Sequence, residues 1–392
     1  MRSKLYLFKK KLLVSLLINK TRKRFHVHPF NANRKIEGEY VSLIRLLEKY
    51  PEKFFTYFRM SKETFDYILS LVKNNLVAKL TSFRNDIICA KEKLVITLRF
   101  LATGASFVDL AYRFRMGVST VKKVIDTTLE AINANCLEIA IPSSLSKDDW
   151  KQISLEFFER WNFPNCLGAV DGKHVLTFAP KKSGSFYFNY KKTFSYNLMA
   201  VVDAKYRFLM VDIGAYGSNA DSTVFSCSPF GNAWLNNPTE LNIPEDSPLP
   251  GTTTKLPYVI IGDEGFALKS TIWRPFPGRN LSHRERIFNY RLSRARRVVE
   301  NAFGIMAHTW RILLKRLEVG KESGHRIILS CCILHNFLRQ KNHRNMFEQE
   351  NPIQDSEDSI LTSTLASGYD VRGKFANWCL EEGSVSFQYD MI

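Results

Sequence analysis

The chain has 392 residues, 45% hydrophobic and 13% aromatic, with 56 Lys and Arg against 38 Asp and Glu, a formal net charge of +18. That apolar content excludes a wholly disordered chain, 19 glycines exclude a collagen-like one, and seven cysteines exclude a disulfide-stapled one. No window reaches the roughly 18 apolar residues of a spanning helix, and the charge points to a phosphate-bearing partner, nucleic acid ahead of an anionic membrane face.

Residues 1–36 form a basic arm. Eleven Lys and Arg and no acid lie between 1 and 35. The apolar run Leu12–Ile18 is too short to span a membrane, and no small-residue cleavage site follows it. The arm reads either as a nuclear-localisation or phosphate-binding segment, or as a merely disordered tail.

Residues 37–145 are expected to be helical. Tyr40, Leu43, Ile44 and Leu47 keep a 3.6-residue spacing, and Ser61 stands where a cap would open the helix of Phe65, Ile68, Leu69 and Val72. Apolar runs over Leu94–Ala102 and Phe107–Phe114 are followed by the turn Met116–Thr120. A helix with Val121, Val124, Ile125, Thr128 and Leu129 on one face comes next, with Ser119 as its expected cap. Short helix, glycine-containing turn and a longer helix with Lys122 and Lys123 outward is a helix-turn-helix-like pattern. Packing of three helices without DNA contact would leave the same pattern.

Residues 160–340 change character. Cys166–Val170, Leu198–Val202, Phe208–Ile213 and Tyr258–Ile261 are short apolar runs bounded by turn residues, the signature of buried strands. Helical patterns over Leu292–Leu313 and Arg326–Arg339 close the region, so the expected class is α/β, a mixed sheet flanked by helices. Residues 341–392 are acidic, with nine acids against three basic residues from Arg344 onward, and are expected to be partly disordered. Trp378 and Phe387 nevertheless offer anchors for docking.

Three acids stand out. Asp171 and Asp263 follow apolar strands, where α/β folds present reactive groups. Glu300 lies among Val298, Val299, Ala302 and Phe303. Its helical neighbours Arg296 and Arg297 allow a plain salt bridge. Together the three could instead hold hard divalent cations, Mg²⁺ or Mn²⁺, for phosphodiester chemistry. Seven arginines between Arg279 and Arg297, against one acid, would suit phosphate oxygens. Cys331, Cys332 and His335 lack a fourth ligand and read as core packing, not as a zinc site. His174 reads either as a substrate-orienting or proton-handling group, or as a hydrogen-bonded structural histidine.

The segments Gly168–His174, Ser195–Asp203, Gly262–Phe266, Phe288–Gly304 and Cys331–Asn336, in this order, resemble the PIF/Harbinger transposases and the nucleases domesticated from them. The resemblance covers roughly 165–337. It implies an RNase H-like nuclease core behind an N-terminal all-helical domain, with a D-D-E triad matching Asp171, Asp263 and Glu300. Asp221 matches a further family aspartate. The histidine usual before that aspartate is here Ala220, and the usual Gly-Asp-Ser-Gly-Tyr is here Gly-Asp-Glu-Gly-Phe, with Glu264 adding charge beside the site.

The expected activity is that of a metal-dependent DNA endonuclease using two divalent ions, in the nucleus and also compatible with the cytoplasm. The basic arm, Lys122, Lys123, Arg294, Arg296 and Arg297 would hold DNA. The resemblance further implies a separate Myb-like DNA-binding partner protein, and a homo-oligomer is compatible with it. No membrane role is expected. The competing class is a catalytically inactive, domesticated transposase acting as a DNA- or chromatin-binding adaptor.

Overall fold

The computed structural model describes residues 27–77, 87–340 and 366–392. The first 26 residues of the expected basic arm and residues 341–365 of the expected acidic tail lie outside the described residues.

Helices come first. After a short π-helical turn at Tyr40–Ile44, α1 (Pro51–Phe58) and α2 (Lys62–Leu76) follow, and Ser61 Oγ caps α2 by accepting from Thr64 N at 3.3 Å. Then come α3 (Ala90–Thr103), α4 (Phe107–Arg113) and α5 (Val118–Ala140). The apolar face of α5 anticipated from spacing is the buried one. Its cap is not Ser119. The cap lies two residues earlier, at the extended Gly117, and the helix opens at Val118, which leaves Ser119 inside the first turn. In α3 the buried Glu92 takes a two-pronged hydrogen bond from Arg34 at 2.8 and 2.9 Å, so this inward carboxylate is paired.

A fifteen-residue helix α6 (Lys147–Trp161), lying between the two expected regions, leads into the sheet and buries Trp150, Ile153 and Phe157 at helical spacing. It opens on a capping box, with Ser146 and Asp149 each accepting from the other's backbone N–H. The sheet strands are β1 (Cys166–Leu176), β2 (Ser195–Val202), β3 (Phe208–Tyr216), β4 (Val259–Ile261) and β5 (Ile272–Trp273). Their order is β3-β2-β1-β4-β5, antiparallel from β3 to β1 and parallel from β1 to β5. This is the RNase H-like arrangement. β1 does not stop at Asp171, where the apolar run ends. Residues Ala169 through Leu176 all pair with β2, because the ladder continues to satisfy the backbone whatever the side chains are.

Beyond β3 lies α7 (Asp221–Cys227), and beyond β5 lie α8 (His283–Thr309) and α9 (Lys321–Gln340). A second capping box, Ser282 with Glu285, starts α8 nine residues ahead of the expected Leu292, and Ile287 and Phe288 are already buried. α9 ties the helical region to the sheet. Asn336 donates to Ala140 O and Phe208 O at 2.9 and 2.8 Å and accepts from Phe208 N at 2.9 Å. His335 is buried, its Nε2 at 2.7 Å from Tyr206 O, and Cys331 and Cys332 are buried free thiols, so this trio is core.

The chain then forms α10 (Ala366–Leu380) and a 3₁₀ turn at Ser386–Met391. Phe375, Trp378 and Cys379 are buried against the sheet and α8. No described helix is long and apolar enough to cross a membrane.

Candidate active site

Register brings the two aspartates together. Ile261 of β4 pairs in parallel with Ala169 of β1. Asp171 lies two residues further along β1, and Asp263 two residues beyond Ile261, just past the end of β4, close enough for its charge to act on Asp171. Each carboxylate accepts one local backbone N–H: Asp171 Oδ1 from Gly172 at 2.8 Å, and Asp263 Oδ1 from Gly265 at 3.0 Å.

Side chains alternate along β1. Lys173, on the side of Asp171, sets its ammonium 5.7 Å from the Phe303 ring of α8. Gly172 and His174 take the opposite side, where Asp221 opens α7. A Cβ on residue 172 would lie 2.2 Å from Asp221 Oδ1, so the Asp221 carboxylate occupies the space glycine leaves free. Asp221 also accepts from Asn197 Nδ2 at 2.8 Å. His174 Nδ1 lies 2.9 Å from Ser195 Oγ. Burial lowers its affinity for a proton, with Asp221 opposing and Lys191 reinforcing the shift.

The electrostatics are those of crowded carboxylates. Burial raises the Asp171 carboxyl to about 7, reinforced by the charges of Asp263 and Asp221 and offset by Gly172 N–H and Arg296. Asp263 is also raised, first by burial and then by Asp221 and Glu264, against Arg296 and Gly265 N–H. Glu264 itself is exposed, and its charge reaches Asp263.

Arg296 is the cation felt by both aspartates, and its guanidinium is ion-paired with Glu300 one helical turn away. The salt bridge that sequence spacing allowed is thus formed. Among the described residues, no group of three or more His, Cys, Asp or Glu is placed to hold a metal ion. The donor set still fits a hard divalent cation between Asp171 and Asp263. Two enclosed, mutually repelling carboxylates are a demand for positive charge that Arg296 meets only in part. Glu300 is engaged by Arg296.

The expected DNA contacts divide. Lys122, Lys123 and Arg297 are exposed. Arg296 turns into the acid cluster. Arg294 lies over the Phe387 ring at 4.6 Å and reaches Asn162 Oδ1 at 3.4 Å. Arg291, unremarked in the sequence, is wholly buried and donates to Gly383 O at 3.0 Å, Gln388 Oε1 at 2.9 Å and Asn162 O. Arg284 donates to Asn377 Oδ1 at 2.8 Å. Arg284, Arg291 and Arg294 therefore fasten the 366–392 segment, while Arg279, Arg286 and Arg297 are exposed.

A mixed sheet of this order carrying acidic residues on its central strands is a DDE-type nuclease scaffold. Residues 170–336 match the family described as DDE superfamily endonuclease, and residues 36–134 match a domain of unknown function. The Arabidopsis thaliana protein ALP1-like is 30% identical over 336 residues, 81% of each chain. Antagonist of like heterochromatin protein 1, from the same plant, is 27% identical and covers 83% of this chain and 82% of its own. The Mus musculus protein HARBI1, named as a nuclease, is 23% identical over 64% of this chain and 68% of its own. No solved structure matches significantly. The chain belongs to the Harbinger transposase-derived family of DDE superfamily endonucleases.

Proposed function

We propose that the chain cleaves DNA phosphodiester bonds, with Asp171, Asp263 and Glu300 as the acidic triad and Asp221 supporting it. The observation that carries this is the Asp171–Asp263 pair, brought to one end of the sheet by the parallel pairing of β1 with β4, with the first carboxyl raised to about 7. Asp171 and Asp263 would hold Mg²⁺ or Mn²⁺, with Glu300 completing a two-ion set. Such ions activate an attacking water or 3′-hydroxyl and stabilise the leaving oxygen.

The chain's own residues do the remaining work. Gly172 and Gly265 fix the carboxylates through backbone N–H groups. Arg296 balances them at rest and passes to a DNA phosphate on binding, which frees Glu300. Lys122, Lys123 and Arg297 hold the duplex backbone. A Myb-like partner supplying site recognition and nuclear import fits this reading, since tight site-specific binding by the chain alone is not expected.

Nicking of a supercoiled plasmid by the purified chain with Mg²⁺ or Mn²⁺ tests it. Activity is expected, and Asp171→Asn or Asp263→Asn should remove it by at least about a hundredfold. Activity that survives Asp171→Asn refutes the triad. The Arg296–Glu300 ion pair favours a second reading, a non-cleaving DNA- or chromatin-binding adaptor, and the relative named for antagonism of a heterochromatin protein gives it a precedent in name. No nicking with either metal or with a partner would select it.

A further inference from the structure

Between β1 and β2 the chain makes an 18-residue excursion, 177–194, carrying four lysines and no acid. Its rings point outward to an unusual degree. Tyr190 is 77% exposed, Phe186 59% and Phe188 41%. Exposed aromatic clusters on a well-fastened segment mark a binding surface, because water contact disfavours leaving them bare.

This segment is well fastened. Tyr187 is buried edge-on against Tyr196 and Tyr216. Asn189, also buried, accepts from Thr193 N at 3.1 Å and donates to Ser195 Oγ at 2.8 Å. Ser195 Oγ is the same atom that meets His174. A chain of hydrogen bonds thus runs from the excursion to the strand that carries Asp171. At its tip Tyr190 stands edge-on to His174, ring centroids 5.5 Å apart, with Lys191 Nζ 5.3 Å from the Tyr190 ring. Phe186 lies stacked on Tyr216 at 5.0 Å, adding a second flat face.

Flat, exposed rings interleaved with lysines, with no acid among them, match an unpaired DNA strand. Bases stack on the rings and phosphates meet the ammonium groups. A duplex, whose bases are already stacked on each other, offers nothing to the rings. We propose that the 177–194 segment is a stacking platform that holds an unpaired stretch of DNA at the edge of the acidic site, with Tyr190 beside His174 on the face of β1 that Asp221 occupies. The cleaved substrate is then DNA opened or single-stranded next to the scissile bond. This rests on the nuclease reading for its substrate, and its test needs no cleavage.

The full chain is titrated in EDTA with labelled single-stranded oligonucleotide and with duplex of equal length, across a salt series. Tyr190→Ala and Phe186→Ala are each expected to weaken single-strand binding about tenfold, leave duplex binding within about twofold, and keep the salt slope. Lys191→Ala with Lys192→Ala should lower the slope for the single strand. Unchanged thermal unfolding of the ring variants confirms that they fold. Ring variants that bind single strands as well as the parent overturn the platform, as does equal loss on both DNAs. A parent that binds no single strand also overturns it. Ring-dependent binding without nicking would uphold the platform and count against the nuclease reading, whereas nicking without ring dependence does the reverse.

Discussion

Replacing Asp171 by Asn should make the metal-free protein more stable at alkaline pH. The folded carboxyl titrates at about 7, against about 3.9 in an unfolded chain. A carboxyl raised in this way costs stability as pH rises above its unfolded value, and the cost is complete above its folded value. At pH 8 the full shift corresponds to about 4 kcal/mol, which becomes about 2 kcal/mol after allowing for the water that reaches the cleft. At pH 5 about a third of that remains. Asn keeps an acceptor for Gly172 N–H, so the change removes charge and little else. Urea unfolding at the two pH values measures it, and the stabilisation should be clearly larger at pH 8. Mn²⁺ at about a hundred times its dissociation constant should stabilise the parent by about 2.7 kcal/mol and the variant far less. The reasoning is refuted if the variant is no more stable than the parent at pH 8, or if its advantage does not grow with pH.

Gly172→Ala places a methyl group where the Asp221 carboxylate now sits; nicking should fall at least about tenfold, while the unfolding midpoint moves little. Arg296→Met releases Glu300 from its ion pair. Mn²⁺ affinity measured by calorimetry without DNA should rise several-fold, and nicking should fall because the phosphate contact is gone; unchanged metal affinity would deny Arg296 its balancing role. Arg291→Met strands Gly383 O and Gln388 Oε1 without their donor. It should cost about 2 kcal/mol and expose residues 366–392 to limited proteolysis, which gel mobility reports.

The acids were legible because each contrasts with its surroundings. Asp171 and Asp263 terminate apolar runs, and Glu300 interrupts one. The strands of the core were legible for the same reason, since burial on both faces writes itself as continuous apolar sequence. What stayed hidden depends on partners far along the chain. The stretch Asp-Gly-Lys-His extends β1 only because β2 is there to pair with it. The two-residue β5 is too short to carry a pattern. Arg291 reads like its six neighbouring arginines until Gly383 and Gln388 close around it. Likewise the pairing of Arg296 with Glu300 was open to spacing, but its effect on the two aspartates required the sheet to bring all four groups within range. α6 carries two local signals, the Ser146–Asp149 capping box and Trp150, Ile153, Phe157 and Trp161 at helical spacing.

The bond between Arg291 and Gln388 spans 97 residues. On a ribosome adding about 5–20 residues per second, the arginine emerges roughly 5–20 s before its acceptor is made. Through that interval α8 carries a guanidinium whose burial has no matching oxygens from Gly383 and Gln388. The nuclease layer therefore matures last-in, first-needed: its longest helix waits for the most recently made segment. A nascent chain paused in the acidic stretch would present an arginine-rich helix to whatever polyanion is near, before the fold has claimed it.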